Sequence, residues 1–375
     1  MQIDRIIQEK IENNLFKGKV MIIYGARRVG KTTLSKQILS KYTKSKYINC
    51  ELLQNKIALE TTNSELLLNF LGGYQLIVLD EAQYINNIGL ILKIITDTFP
   101  NLQIIATGSS SFDLSNKISE PLTGRSRQFL LFPFSMIELQ QKYDFIETHS
   151  KLENILRLGL YPEVFDKPID EAKEEINNIA SNYLYKDVLL FEKLKRSDLL
   201  MNLLKTIAFQ IGHELSYNEL ATLLGENAHT IKRYIEILEK AFVLFRLFSY
   251  SRNLRKEIRK SQKIYFYDLG IRNALIQNYN PISLRNDVGG LWENFCILER
   301  KKANNNNRRF VNTYFWRTYD KKKIDYIEEK DGKLFAFEFK FNPKKTVKPS
   351  KEFLEHYSGT EFQVINNENY WSFIS

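Results

Sequence analysis

Cysteine is nearly absent from this chain of 375 residues. Cys50 and Cys296 cannot form a disulfide framework, and their scarcity suits a reducing cytosol. Two thiols also exclude a zinc site built mainly on thiolates, and four scattered histidines do not replace them. The sequence lacks any run of about 18 apolar residues, so no helix is expected to span a membrane. Met1-Gln2-Ile3-Asp4-Arg5 lacks the apolar core of a signal peptide. These absences together predict a cytoplasmic protein. No internal repeat is visible at periods of about 20–50 residues, which argues against a solenoid.

The apolar fraction, 43%, is ordinary and can fill several cores, and the length predicts two or three domains. Positive charge is in excess, with a net +10, but it is unevenly placed. Residues 1–250 carry 30 Lys and Arg against 29 Asp and Glu, whereas residues 251–375 carry 24 against 15. The last third therefore holds nearly all of the excess. That asymmetry suits a polyanion partner, and a solvated lysine-rich surface has the same composition.

Up to about residue 135, short apolar runs alternate with amphipathic helical patterns. The runs are Lys19–Tyr24, Lys46–Cys50, Gln75–Leu79, Leu102–Thr107 and Gln128–Phe132, with helices such as Thr33–Tyr42 and Leu90–Phe99 among them. The alternation predicts an α/β domain, 1–135, with a parallel sheet whose strand ends face the ligand. Residues 136–210 carry apolar positions at spacings of three and four, as at Ile155, Leu158, Ile176, Ile179 and Tyr183, and predict a helical lid or linker. Asn304–Asn307 is expected to be an exposed loop.

The strand Val20–Tyr24 runs into Gly25-Ala26-Arg27-Arg28-Val29-Gly30-Lys31-Thr32, followed by Thr33 and a helix. Strand, glycine-bounded loop, lysine, hydroxyl and helix form a P-loop. Its backbone N–H groups curl around phosphates, and the helix adds its positive end. Lys31 is expected at the β- and γ-phosphates of ATP, and the Thr32 hydroxyl on magnesium. Leu76-Ile77-Val78-Leu79 then ends in Asp80-Glu81. Asp80 is expected in the magnesium shell and Glu81 beside the attacking water, so hydrolysis is the expected activity. Ser109, or Ser110, after the fourth strand is a candidate contact to the γ-phosphate, although an ordinary polar turn has the same residues. Arg125 and Arg127, before the fifth strand, are candidates to supply positive charge in cis or from a neighbouring subunit, and each equally suits a surface salt bridge. By these motifs the region resembles the AAA-type ATPases, which implies a five-stranded parallel sheet followed by a helical lid.

Ser216 caps a helix, Gly225-Glu226-Asn227 turns the chain, and a second helix runs from Ala228 to about Ala241. Ile231, Tyr234, Ile235 and Leu238 form its apolar face, and His229, Thr230, Lys232 and Arg233 its polar start, as in a DNA recognition helix. An apolar strand, Phe242–Phe248, and the basic residues Arg252, Arg255, Lys256, Arg259, Lys260 and Lys263 complete the pattern of a winged helix with a basic wing, 211–262. Such a module can equally serve protein contacts.

In the last segment, 263–375, Glu293 lies on a helix, Asp325 on a short strand, and Glu338 and Lys340 on a second strand beyond Gly332. A hairpin would bring Asp325, Glu338 and Lys340 together. This constellation resembles the restriction-endonuclease-like nucleases of the PD-(D/E)XK fold. The resemblance implies that Glu293, Asp325 and Glu338 bind magnesium and that Lys340 positions a water. No proline precedes Asp325, which departs from that pattern. Over nearly its full length the chain resembles prokaryotic ATP-binding proteins with an AAA-type domain, a winged helix and a nuclease-like domain of unknown function. Lys263–Gly270, Trp292-Glu293-Asn294-Phe295, Phe315-Trp316-Arg317 and Phe132-Pro133-Phe134-Ser135 carry that likeness. Two activities are open on this reading: an ATPase that acts on DNA and cuts it, and a nucleotide-dependent switch that binds nucleic acid or a protein without cutting.

Overall fold

The computed structural model describes residues 3–109, 122–183, 196–250, 262–318, 322–345 and 347–375. They divide into two compact units, one of residues 1–134 with 240–242, the other of 135–239 with 243–375.

The first unit is a five-stranded sheet in the order β2-β3-β4-β1-β5. Its strands are β1 (Val20–Tyr24), β2 (Ser45–Asn49), β3 (Leu76–Asp80), β4 (Gln103–Gly108) and β5 (Ser126–Leu130). Every pairing is parallel, as the alternation of strands and helices predicts. The helices are α1 (Ile6–Glu12), α2 (Lys31–Leu39), α3 (Leu53–Leu59), α4 (Ser64–Leu71) and α5 (Ile88–Thr98). Strands β3 and β4 are buried along their whole length, which is why they read as continuous apolar runs. Ile77, Leu79, Ile91, Leu92 and Ile104 pack into one core with Leu67 of α4.

The second unit has a seven-stranded sheet in the order β12-β11-β10-β9-β7-β8-β6. Its strands are β6 (Glu214–Leu215), β7 (Leu244–Ser249), β8 (Gln262–Phe266), β9 (Asn312–Arg317), β10 (Lys323–Lys330), β11 (Lys333–Phe339) and β12 (Glu361–Ile365). Helices α6 (Met136–Leu139), α7 (Phe145–Ser150), α8 (Leu152–Leu158), α9 (Ile169–Tyr183) and α10 (Ser197–Phe209) precede that sheet. Helices α11 (Tyr217–Leu224), α12 (Ala228–Lys240), α13 (Leu269–Leu275), α14 (Val288–Asn306), α15 (Lys351–His356) and α16 (Tyr370–Ile374) lie between or after its strands.

Two expectations about organisation change here. The helices of 136–210, expected as a lid or linker after the ATPase sheet, group with the C-terminal residues. The expected boundary at 262/263 falls within β8, which pairs with β6 and β7, and β7 in turn pairs with β9. Backbone ladders thus tie 211–262 to 263–375 in one sheet. The asparagine run is a third correction. It continues α14 to Asn306, with Asn304 and Asn306 buried, because Asn304 Nδ2 donates to Glu328 Oε1 at 2.8 Å. A tertiary partner there overrides asparagine's weak helix preference.

Candidate functional site: the phosphate-binding loop and its acidic neighbours

The ends of β1, β3 and β4 converge because parallel strands in register end at one edge. Tyr24 is level with Gly108, and Leu79 with Ala106. The loop 25–30 leaves β1 at that edge and enters α2. Gly25 is required by close approach: a β-carbon there would lie 2.1 Å from the Leu131 carbonyl oxygen. Gly30 has φ 97° at the start of α2, in the region that favours glycine. Arg28 takes a left-handed φ of 61°. Val29 and Ala26 are buried, Arg27 is half-buried, and Arg28 and Thr33 are exposed. Lys31 is buried and donates to the carbonyls of Gly25 at 3.0 Å and Ala26 at 2.8 Å, so its ammonium lies across the loop.

Asp80 is the hub of the acidic side. One carboxylate oxygen, Oδ2, accepts from the Thr32 hydroxyl at 2.8 Å and from the Tyr47 hydroxyl at 2.5 Å. The other accepts from Thr107. The P-loop hydroxyl and the β3 carboxylate are therefore side by side, two hard oxygen donors of the kind magnesium takes. Burial raises the Tyr47 hydroxyl's pKa, and so does its hydrogen bond to Asp80. Burial pushes the neighbouring Cys50 thiol up to about 12, assisted by the charges of Asp80 and Glu81, so it stays an inert thiol.

Glu81 follows in a left-handed conformation, φ 54°, with its N–H donating to Thr107 Oγ1 at 3.1 Å. That turn aims its side chain away from the strand line. Glu81 Oε2 accepts from Gln83 Nε2 at 2.5 Å, and the same nitrogen donates to Ser109 Oγ at 3.2 Å. Ser109 is thereby joined to Glu81, whereas Ser110 lies outside the described residues.

Sequence reasoning missed four residues. Tyr47, Thr107 and Gln83 hold Asp80, Glu81 and Ser109. Arg5 donates to the backbone carbonyls of Val29, at 3.3 Å, and Phe132, and stacks over Phe134 at 4.8 Å, bracing the loop from outside. Thr107 had a signal, since it ends the strand beside Asp80. Arg5 had none.

Arg125 and Arg127 are corrected. Arg127 pairs with Met21 in the sheet register, and the Arg125 carbonyl accepts from Val20 N–H at 2.9 Å. Both therefore sit at the starting edge of the sheet. The P-loop leaves the other edge, about 13 Å along β1 at the usual strand rise. Neither lies at the P-loop edge of the sheet. Arg125 pairs instead with Asp97 at 2.7 Å on an exposed face.

In the second unit, α12 buries Ile231, Tyr234, Ile235 and Leu238 and leaves His229, Lys232 and Arg233 exposed. Thr230 is half-buried, its N–H held by Asn227 Oδ1 at 2.8 Å. Lys232 lies 3.8 Å from Glu236. Arg252, Arg255, Lys256, Arg259 and Lys260 lie outside the described residues.

The C-terminal carboxylates do come together. Asp331 and Gly332, with φ 50° and 76°, make the tight turn between β10 and β11. With Tyr326 opposite Phe337, Asp325 faces Glu338 across the hairpin. Lys340 Nζ lies 2.9 Å from Glu338 Oε1. Glu293 joins through Lys263, which is 2.6 Å from Glu293 Oε1 and 3.8 Å from Asp325 Oδ1. The expected metal set is not formed: among the described residues no group of three or more His, Cys, Asp or Glu could hold a metal ion.

Comparison with known proteins agrees with the first unit and leaves the second open. Residues 17–140 match the family model described as "AAA domain". Residues 149–281 and 288–370 match two families described as domains of unknown function, DUF8612 and DUF4143. An uncharacterized protein of Methanocaldococcus jannaschii is 27% identical over 312 residues, covering 72% of this chain and 65% of that protein. An uncharacterized protein of Mycobacterium tuberculosis is 27% identical over 337 residues, covering 88% of this chain and 72% of that protein. Among solved structures, the Walker-type ATPase of Pyrococcus abyssi aligns with a TM-score of 0.48 and 19% identity, covering 73% of this chain and 96% of that one. Among the described residues no helix is long and apolar enough to cross a membrane. Residues 17–140 thus match an AAA domain and carry the P-loop geometry, with the Thr32 hydroxyl against Asp80.

Proposed function

We propose that this protein hydrolyses ATP with magnesium in its N-terminal unit, and that the nucleotide state sets the nucleic-acid affinity of its C-terminal unit without cutting the strand. The observation that carries the first half is the contact between Thr32 and Asp80, 2.8 Å, with Glu81 one residue on. Magnesium bound there would neutralise charge on the β- and γ-phosphates. Thr32 and Asp80 would hold the ion, the 25–30 backbone would cradle the phosphates, and Lys31 would swing from its two loop carbonyls onto them. Glu81 would orient the attacking water and accept its proton. If an arginine completes the transition state, Arg125 or Arg127 can do so only from a neighbouring copy.

The second half draws support from the succession α10, β6, α11, α12, β7, β8, in which β8 pairs with both β6 and β7. That order suits a winged helix. Helix α12 would present His229, Lys232 and Arg233, and the basic run from Arg252 to Lys260 would meet phosphates. Asp325 opposite Glu338 supports a restriction-endonuclease-like ancestry for the last segment. The lysines on those carboxylates favour binding over cleavage.

The test is an ATPase assay with magnesium on the native chain and on Lys31→Ala, paired with DNA anisotropy titrations in the presence of ADP, a non-hydrolysable ATP analogue, or neither. Turnover lost in Lys31→Ala and unequal DNA affinities are expected. Equal affinity in all three states would sink the switch. Magnesium-dependent plasmid nicking, lost in Glu338→Ala, would replace it with a nuclease.

A further inference from the structure

The carboxylates that face each other in the C-terminal sheet are matched one for one by lysines. Glu293 takes Lys263 at 2.6 Å, Asp325 takes Lys323 at 2.8 Å, and Glu338 takes Lys340 at 2.9 Å. Lys263 is the unusual member. It is 4% exposed, projects from β8, and reaches both Glu293 and, at 3.8 Å, Asp325. A buried ammonium is tolerated only where it is paired and hydrogen-bonded. Here it has two carboxylates and the ring of Phe315 at 5.4 Å.

Little room is left for a divalent cation. Glu293 Oε1 is shared by Lys263 and by the Tyr265 hydroxyl, at 2.5 Å. Asp325 Oδ1 is shared by Lys263 and Lys323, and its Oδ2 accepts from Phe339 N–H at 3.2 Å. Within this cluster Glu338 Oε2 is buried without a hydrogen-bond partner among the described residues. One orphaned oxygen does not make a magnesium site, which asks for near-octahedral coordination by six oxygens. Charge argues the same way: three carboxylates against three ammoniums are already balanced, and a divalent ion would leave an uncompensated surplus. Burial and the charge of Asp325 raise the Glu338 pKa. Burial works against the Asp325 carboxylate too, but Lys263 and Lys323 outweigh it and hold its pKa below the usual range.

We infer that the Lys263 ammonium is the resident cation of this cluster, standing where a metal would have to bind and riveting β8 to α14 and β10. The last segment is then a closed ion-pair junction and not a metal centre. The junction joins the strand that completes the helix-turn-helix part of the sheet to the helix and hairpin of the C-terminal part. It rests on the non-cleaving reading only in direction, since the cluster can be metal-free whether or not the protein binds nucleic acid.

The experiment is a Mn2+ titration of the full chain without nucleotide, free Mn2+ being read by electron paramagnetic resonance, in parallel with Asp325→Asn. Identical titrations are expected. A stoichiometric Mn2+ bound by the native protein and lost in Asp325→Asn would overturn the inference. Thermal melts of Lys263→Met and of Lys263→Met with Glu293→Gln give an independent reading. The single substitution should lower Tm, and the pair should recover most of the loss. A Lys263→Met protein as stable as the native one would also overturn it. Should Lys263→Met fail to fold, the Mn2+ titration decides.

Discussion

Gln83 holds Glu81 and Ser109 with one amide nitrogen, 2.5 Å from the carboxylate and 3.2 Å from the hydroxyl. Glu81 has no strand to fix it, because it has already left β3 in a left-handed turn. Its orientation depends on that amide. Gln83→Ala should therefore lower kcat by roughly tenfold at nearly unchanged KM, whereas Glu81→Gln should cost on the order of 10² to 10⁴, the range for losing a general base. Steady-state ATPase kinetics on both variants check this. A Gln83→Ala enzyme that turns over at the native rate would remove Gln83 from the site.

Tyr47 and Thr32 meet on the same oxygen of Asp80, at 2.5 and 2.8 Å. A hydrogen bond to a charged group contributes about 1.5–3 kcal/mol. Tyr47→Phe should leave Asp80 less well held, and the magnesium concentration needed for half-maximal ATPase activity should rise about tenfold. Cys50→Ala, at the end of the same strand region, should leave that requirement unchanged.

Much of this site was legible in the sequence, and the reason is local. The P-loop, Asp80 and Glu81 each depend on one strand end and the few residues after it, so spacing alone locates them. Arg125 and Arg127 were rightly placed before the fifth strand, but because β5 runs parallel to β1 its start lies at the edge opposite the P-loop. Gln83 and Tyr47 were missed because glutamine and tyrosine carry no charge signal, and only the turn at Glu81 and the pairing of β2 with β3 bring them in. The C-terminal cluster is the sharpest case. Glu338 and Lys340 were placed by their alternation and Asp325 by the hairpin, but Lys263 reaches them from about 60 residues upstream, through a sheet order that periodicity does not encode.

A buried ion network predicts a stability effect in the second unit. Asp287 lies 2.5 Å from Arg272 and 2.7 Å from Arg285, whose side chains are 1% and 0% exposed. Burial alone would raise its pKa, but the two guanidiniums win and hold it at about 2. A carboxylate depressed in the folded state stabilises above its unfolded pKa, near 4, and that contribution is lost as pH falls toward 2. Asp287→Asn should cost about 3–5 kcal/mol at neutral pH, since it leaves two buried cations without their counter-ion. Urea denaturation at pH 7 and at pH 3 checks both statements: the gap between native and variant should narrow at the lower pH.

The exposed start of α12 gives the prediction that bears most directly on the partner. Ile231, Tyr234, Ile235 and Leu238 are committed to the core, so their polar neighbours must face outward. Lys232 and Arg233 are exposed there, and Lys232 lies 3.8 Å from Glu236. If both meet phosphates, the slope of log affinity against log salt should fall by about 0.9 for each lysine or arginine removed. Lys232→Ala with Arg233→Ala should thus flatten the slope by about 1.8 and leave the ATPase rate intact. A base-reading role would look different, with affinity falling on one DNA sequence and holding on others. Affinity unchanged in the double variant across about 50–200 mM salt would take α12 out of the nucleic-acid surface, and leave the residues from Arg252 to Lys260 as its remaining candidates.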